Sequence, residues 1–349
     1  MTSQKRISPF MAEAMLELGV AYSNNGNDDK ALAKYKELVK NYPQSSEAKD
    51  ALVAIKAIYV SKGDAQSYIS YIGSIGGENG IDAGEKEALS YDALQRQFIA
   101  GNYDRVVALS GDYKEEFPNG VHSVDVEYYL SEALIATKSD KAAAQLENLI
   151  AMPNNQYTIV ALENAVKLYA SKSMNEQQHA VLVKLYSITT NPSQKKETLE
   201  QLMELAVKIG SKDLVASSAE MVFADKDASE KALSYAHFGN GRVLYDKGDY
   251  AAAIKELTQA NIPAGKAVGV QNKFLIADAM FRNGDVKGSE KMVIELSNLE
   301  TPHQYWVARG FILYGDIYKK KGDLFQAKAT YQSILEGYEK KTDGIIETV

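Results

Sequence analysis

The side chains best suited to hold a metal or move a proton near neutral pH are four histidines, His122, His179, His237 and His303. They lie far apart in the chain, and none has a second histidine or a carboxylate four positions away, so no helical zinc pair is encoded. Each reads as a solvated or helix-packed imidazole. The chain has no cysteine, which removes disulfides, thiolate zinc sites and cysteine nucleophiles together. The run Gly76-Gly77-Glu78-Asn79-Gly80 invites comparison with a phosphate loop. It lacks the Gly-Lys-Ser/Thr ending, brings the acids Glu78, Asp82 and Glu85, and follows a helical pattern, so it reads as a connecting loop. Gly239-Asn240-Gly241 also falls in a helical pattern. Asp28-Asp29 and Asp225-Lys226-Asp227 miss the calcium-loop spacing and read as acids at helix N-termini. No nucleophile–base–acid set stands out. The expectation is a protein without catalytic residues, cofactor or metal.

Charge and composition narrow the partners. The 349 residues carry 39 basic and 46 acidic side chains, a formal charge of −7, which argues against a nucleic-acid partner. Apolar residues make up 45% and charged residues 24%, the balance of a folded chain and too apolar for disorder. No stretch approaches the roughly 18 uninterrupted apolar residues of a membrane span, so direct membrane insertion is not expected. The opening segment Met1–Phe10 is polar and does not read as a signal peptide. The chain is therefore expected to be either cytoplasmic or a segment of a longer exported protein.

Two independent rulers show how the chain is built. The seven prolines, Pro9, Pro43, Pro118, Pro153, Pro192, Pro263 and Pro302, are spaced at close to one or two times ~36 residues. Proline costs about 3 kcal/mol inside a helix, so its spacing marks helix ends. A small residue followed by a polar one recurs with nearly the same period, at Gly26, Gly63, Gly101, Ser139, Gly210, Gly248, Gly284 and Gly322, with Ser173 filling the one long step. The period implies about nine units. Within the first, Met15, Leu18 and Tyr22 follow helical spacing until Gly26. A second helix then carries Ala31, Leu32, Tyr35, Leu38 and Val39 on one face until Pro43. A short helix pair has no interior of its own and buries its apolar face only against its neighbours. The expected fold is all-α, an array of about nine helix-turn-helix repeats spanning 1–349.

The residues Gly19, Tyr22, Gly26, Ala31, Tyr35 and Pro43 resemble all six marker positions of the tetratricopeptide repeat (TPR) family. Gly315, Tyr318, Gly322, Ala327 and Tyr331 match five of them, and Gly241, Gly248, Ala253 and Ala260 match in part. The likeness is best over 12–45 and 230–338. It fades over 140–225, and in the third unit Gln97 replaces the tyrosine. The phrases YKELVKNYP and YKEEFPNGVHSVDVEYYL are similar to the TPR proteins of bacterial envelopes, including outer-membrane assembly lipoproteins. The resemblance implies a right-handed α-solenoid whose first helices line a groove. It also implies a groove-facing stripe thirteen, ten, six, three and two residues before each turn glycine. In the N-terminal units that stripe is bland. Near the C-terminus it holds Tyr235, Phe238, Arg242 and Tyr245, then Phe274, Asp278, Phe281 and Arg282, then Arg309, Asp316 and Lys319.

Aromatic and arginine side chains are what binding hot spots favour. The implied function is a non-catalytic protein-protein interaction scaffold. Its C-terminal groove would bind a peptide or protein segment, with acidic groups meeting Arg242, Arg282, Arg309 and Lys319. Plain packing of the aromatics, and pairing of the cations with Asp278 or Asp316, is the competing reading. The envelope likeness implies a role in bacterial envelope assembly, in the periplasm or at the outer membrane. The alternatives are an enzyme or carbohydrate-handling module on an α-solenoid, or a regulatory TPR segment of a longer signalling protein. The stretch after Tyr338, including Gly344-Ile345-Ile346, reads as too short for a full cap, so further repeats are expected in a parent chain. The degenerate 140–225 region is expected to be the softest.

Overall fold

The computed structural model describes residues 9–75, 81–340 and 342–349. The Gly76–Gly80 run lies outside the described residues. Nine helix pairs account for nearly all of the rest. The first four are α1 (Pro9–Asn24) with α2 (Asp28–Asn41), α3 (Ser46–Ser61) with α4 (Ala65–Ile75), α5 (Ala83–Ile99) with α6 (Tyr103–Glu116), and α7 (Ser123–Ala136) with α8 (Ala142–Ala151). Then follow α9 (Thr158–Ser171) with α10 (Asn175–Ile188), α11 (Pro192–Ile209) with α12 (Lys212–Ala224), and α13 (Glu230–Asp246) with α14 (Tyr250–Gln259). The last pairs are α15 (Ala267–Arg282) with α16 (Val286–Ser297) and α17 (Gln304–Lys321) with α18 (Leu324–Gly337), ahead of a short α19 (Ile345–Thr348). There is no strand among the described residues. The chain is all-α, as the rulers require.

The turn within each pair explains the small–polar ruler. Gly26, Gly63, Gly101, Gly210, Gly248, Gly284 and Gly322 all have positive φ, between 69° and 90°. After each of these but Gly210, the next amide reaches back to a carbonyl five residues earlier, as in Asn27 N to Tyr22 O (2.8 Å), Asp64 N to Tyr59 O (2.9 Å) and Asp323 N to Tyr318 O (3.0 Å). That pattern closes the last turn of the first helix and favours glycine, which has no Cβ to resist the left-handed backbone. Where the polar residue is an aspartate its side chain caps the second helix: Asp249, Asp285 and Asp323 accept from the amides of Ala252, Gly288 and Gln326, whereas Asn27 and Asn102 make no such bond. In the fourth unit the left-handed residue is Lys138 (φ 54°), one position before the serine that sequence spacing pointed to, and in the fifth it is Ser173 (φ 57°). Prolines sit between pairs, with Pro9 and Pro192 at the first turn of α1 and α11, where no amide is missed. Asp225-Lys226-Asp227 lies after α12, not at a helix N-terminus. Asp225 ends that helix and accepts from Tyr186 Oη at 2.6 Å.

Close packing within a pair depends on glycine. A Cβ on Gly19 would stand 2.3 Å from the Tyr35 ring, and one on Gly315 would stand 2.3 Å from Tyr331. Neighbouring pairs meet about one period apart. Gln97 donates to Ser61 O at 2.9 Å, and His179 Nε2 lies 2.8 Å from Ser218 Oγ. Gln97 thus replaces the tyrosine of the TPR pattern with a buried amide tied to the preceding pair.

The chain forms two compact units, Met1–Ala161 and Leu162–Val349, with the boundary inside α9. The first has a core running from Ala12 to Ala93 and a second cluster around Leu94, Tyr113 and Tyr129. In the second unit one cluster extends from Val166 to Ile317. The tail after Tyr338 folds back as α19. It buries Ile345 against Ala308, Ile312 and Ile334, so it covers part of the last repeat despite its brevity.

Candidate functional site

In the second unit, α13, α15 and α17 carry the stripe that the resemblance pointed to. Phe238 is fully buried, and Tyr235 and Phe274 are 3% exposed. These rings are core: Phe238 packs beside Val207 and Val215 of the preceding pair, and Phe274 meets Trp306 of the next, with centroids 5.6 Å apart. Tyr245 and Phe281 are half-buried. Asp278 is 7% exposed and is satisfied by two groups, the Tyr245 hydroxyl and Arg282 Nε at 2.5 Å. Burial and the bond to Asp278 push the Tyr245 phenol up, and the same carboxylate pushes the Arg282 guanidinium up. Arg282 is therefore engaged within the protein, lying over the Tyr245 and Tyr250 rings at 6.0 and 5.8 Å. Asp316 accepts from Tyr331 Oη at 2.7 Å.

The remaining cations differ. Arg309 lies over the Phe274 ring at 5.2 Å, and Lys320 over Phe281 at 5.4 Å. Arg242 is half-buried beside Gly210. Among the described residues Arg242, Arg309 and Lys319 have no carboxylate within ion-pair distance. The structure thus splits the stripe into a buried aromatic layer, a satisfied Tyr245–Asp278–Arg282 cluster, and cations whose charge is unmatched. At the N-terminal end of α13, a cavity of about 630 Å³ is lined by Tyr235, Lys231, His237, Asn261 and Lys266. Lys231 and Lys266 both pair with Glu204 at 3.0 Å. Burial pushes the Glu204 carboxyl up, but the two lysines outweigh it and hold it below its ordinary value.

The first unit holds a cluster that the stripe reading passed over. Tyr91 stacks on His122 at 3.8 Å, Phe98 on Tyr129 at 4.3 Å and Tyr128 on Tyr157 at 4.0 Å. Gln95 donates to the hydroxyls of Tyr91 (3.0 Å) and Tyr129 (2.9 Å). Asp125 accepts from Tyr157 Oη at 2.6 Å and from Gln156 at 3.0 Å. Tyr129 is buried and Tyr128 half-buried, as expected when adjacent residues split across two helix faces. The available signal was Tyr91, Gln95 and Phe98 at the same offsets before Gly101 that were followed near the C-terminus.

The histidines stay apart. His122 belongs to this cluster, buried His179 has its pKa lowered by burial, and His237 Nδ1 lies 2.9 Å from Glu256. Among the described residues no three or more metal-ligating side chains gather. No helix there is long and apolar enough to cross a membrane.

Residues 13–45, which include most of α1 and all of α2, match the family model described as Tetratricopeptide repeat. No curated protein matches the chain by sequence. Among solved structures it is similar to yeast Tom70, with 11% identity, 98% of this chain and 95% of that chain covered, and a TM-score of 0.35. A tetratricopeptide repeat protein from Parabacteroides merdae has 13% identity, 97% and 96% coverage, and a TM-score of 0.35. Cut9–Hcn1 of the APC/C has 12% identity, 100% and 78% coverage, and a TM-score of 0.38.

Proposed function

We propose that this protein is a non-catalytic protein-protein interaction scaffold. The first-helix face of its second unit receives an acidic peptide segment. The observation that carries this reading is the unmatched charge of Arg242, Arg309 and Lys319 on the first helices α13 and α17, beside a row of aromatic rings. Arginine held over an aromatic ring is pre-oriented, so it loses little freedom on meeting a carboxylate. Arg282, Asp278 and Asp316 shape the face without contributing free charge. Tyr235, Phe238 and Phe274 support it from beneath. The resemblance of YKELVKNYP and YKEEFPNGVHSVDVEYYL to phrases of envelope TPR proteins is what supports a place in bacterial envelope assembly, in the periplasm or at the outer membrane.

The test is a fluorescence-anisotropy titration of a labelled Glu/Asp-rich peptide against wild type and the Arg242→Glu, Arg309→Glu double variant. Loss of affinity on the order of tenfold is expected, from two lost charge contacts and added repulsion. Undiminished binding by a folded double variant would retire the assignment.

A further inference from the structure

The register of the repeats singles out one turn. In each pair the first helix ends on a left-handed residue, and the position three further on stands at the start of the second helix. That position is exposed in all nine pairs, including the eight that another pair follows, so stacking leaves it in water. Its residues suit water. In six of those eight pairs it is charged, as at Asp29, Glu176 and Lys287, and in the other two it is Gln66 or Ala251. The ninth pair departs from this with Phe325, which is 80% exposed, beside Leu324 at 67%. A further repeat laid on α17 and α18 would not cover this ring, because the same register stays uncovered wherever a repeat does follow. Lysines surround the two side chains. Lys319, Lys320 and Lys321 fill the last turn of α17, and Lys328 lies one turn along α18. From Lys319 to Lys328 the one acid is Asp323, whose side chain is taken up by the Gln326 amide. Lys321 pairs with Glu290 at 2.9 Å. Lys319, Lys320 and Lys328 are exposed, with no carboxylate within ion-pair distance among the described residues.

We infer that the α17–α18 turn is a peripheral anchor for a lipid bilayer that displays anionic headgroups. A lone exposed apolar side chain asks for no partner. Here two are adjacent, one of them at a register that holds no other large apolar residue, and unmatched cations flank both. A side chain 80% exposed lines no cleft, so a protein partner would have to supply the whole pocket for Phe325. A bilayer needs no pocket. The boundary between headgroups and acyl chains surrounds an aromatic and an aliphatic side chain that enter it from the water. The lysines then stay at headgroup level, where each gains from the negative surface potential while its stem lies along apolar surface. Neither part suffices alone. Two side chains bury too little area for lasting attachment, and a chain at −7 overall is repelled by the same surface unless its basic end faces it. The contact is shallow, since no helix among the described residues is long and apolar enough to cross a membrane.

The test is co-sedimentation of the full chain with vesicles of phosphatidylcholine containing about one-third phosphatidylglycerol, against vesicles of phosphatidylcholine alone. Wild type should pellet with the anionic vesicles and stay free of the neutral ones. The Leu324→Ser, Phe325→Ser variant should partition about tenfold more weakly, from two lost apolar contacts. The Lys320→Gln, Lys328→Gln variant should lose about as much, roughly tenfold, from two lost attractions to the surface. A second readout follows entry directly. In the Phe325→Trp variant, brominated anionic lipid should quench the added fluorescence. Trp306, the one tryptophan of the chain, lies ~22 Å away along α17 and should be unquenched in wild type. A wild-type chain that ignores anionic vesicles would overturn the proposal, as would a folded serine variant that binds them undiminished. If the serine variant loses its helical circular dichroism, the quenching decides instead, and its absence overturns the proposal. Sedimentation velocity without lipid tests a second copy as the occupant: a dimer that the serine substitutions abolish would assign the two side chains to that contact and overturn the lipid assignment. The acidic peptide of the groove test should bind the serine variant as it binds wild type, so the two assignments fail separately.

Discussion

At the scale of single residues, repeat geometry rests on what is absent from a glycine. Gly19 and Tyr35 stand sixteen positions apart, as do Gly315 and Tyr331, and in both pairs the aromatic ring occupies the space of a Cβ. Tyr35 is 2% exposed and has no room to retreat. Gly19→Ala should therefore destabilise the first pair by about 1–3 kcal/mol through overpacking, despite alanine's better helix propensity. Chemical denaturation followed by circular dichroism measures this, and a gain in stability would show that the ring is free to move. These contacts were legible because the spacing of glycine and tyrosine is local. The pairing of Asp278 with both Tyr245 and Arg282 was only partly so. Arg282 is one helical turn away on the same helix, whereas Tyr245 comes from the preceding repeat.

At the scale of the element, every first helix ends on a left-handed residue, and two of the nine are not glycine. Lys138 and Ser173 hold φ values of 54° and 57°, a conformation costing an L-residue roughly 1 kcal/mol. Lys138→Gly should accordingly stabilise the fourth pair by a few tenths to about 1 kcal/mol, the strain relief being offset by the greater freedom of glycine when unfolded. A raised denaturation midpoint with unchanged slope is the expected reading, and a lowered midpoint would show that the lysine side chain contributes more than its backbone costs. The one-residue shift from Ser139 to Lys138 has the same origin. Without glycine to mark the left-handed position, sequence spacing settled on the small residue beside it.

At the scale of the whole molecule, each pair is held by its neighbours, so local stability follows the quality of adjacent interfaces. We propose that residues 140–225 open first in hydrogen exchange. This stretch includes one non-glycine turn at Ser173 and follows another at Lys138. It also buries a polar His179–Ser218 contact between α10 and α12. Faster exchange there than in α1–α2 or α17–α18 is the expected pattern, and uniform protection would contradict it.

The sequence by itself determined the helix pairs, their number and, to within one residue, the places where they turn. Those features depend on proline, glycine and apolar spacing within one period. The structure decided which stripe residues remain available. Phe238 and Phe274 became core, Arg282 was engaged by Asp278, and Tyr91, His122, Tyr128 and Tyr157 came together as stacked rings. The reason is physical: whether a side chain on a first helix is covered depends on how closely the helix one period away approaches. That distance is set by packing between repeats, not by the residues of either repeat alone.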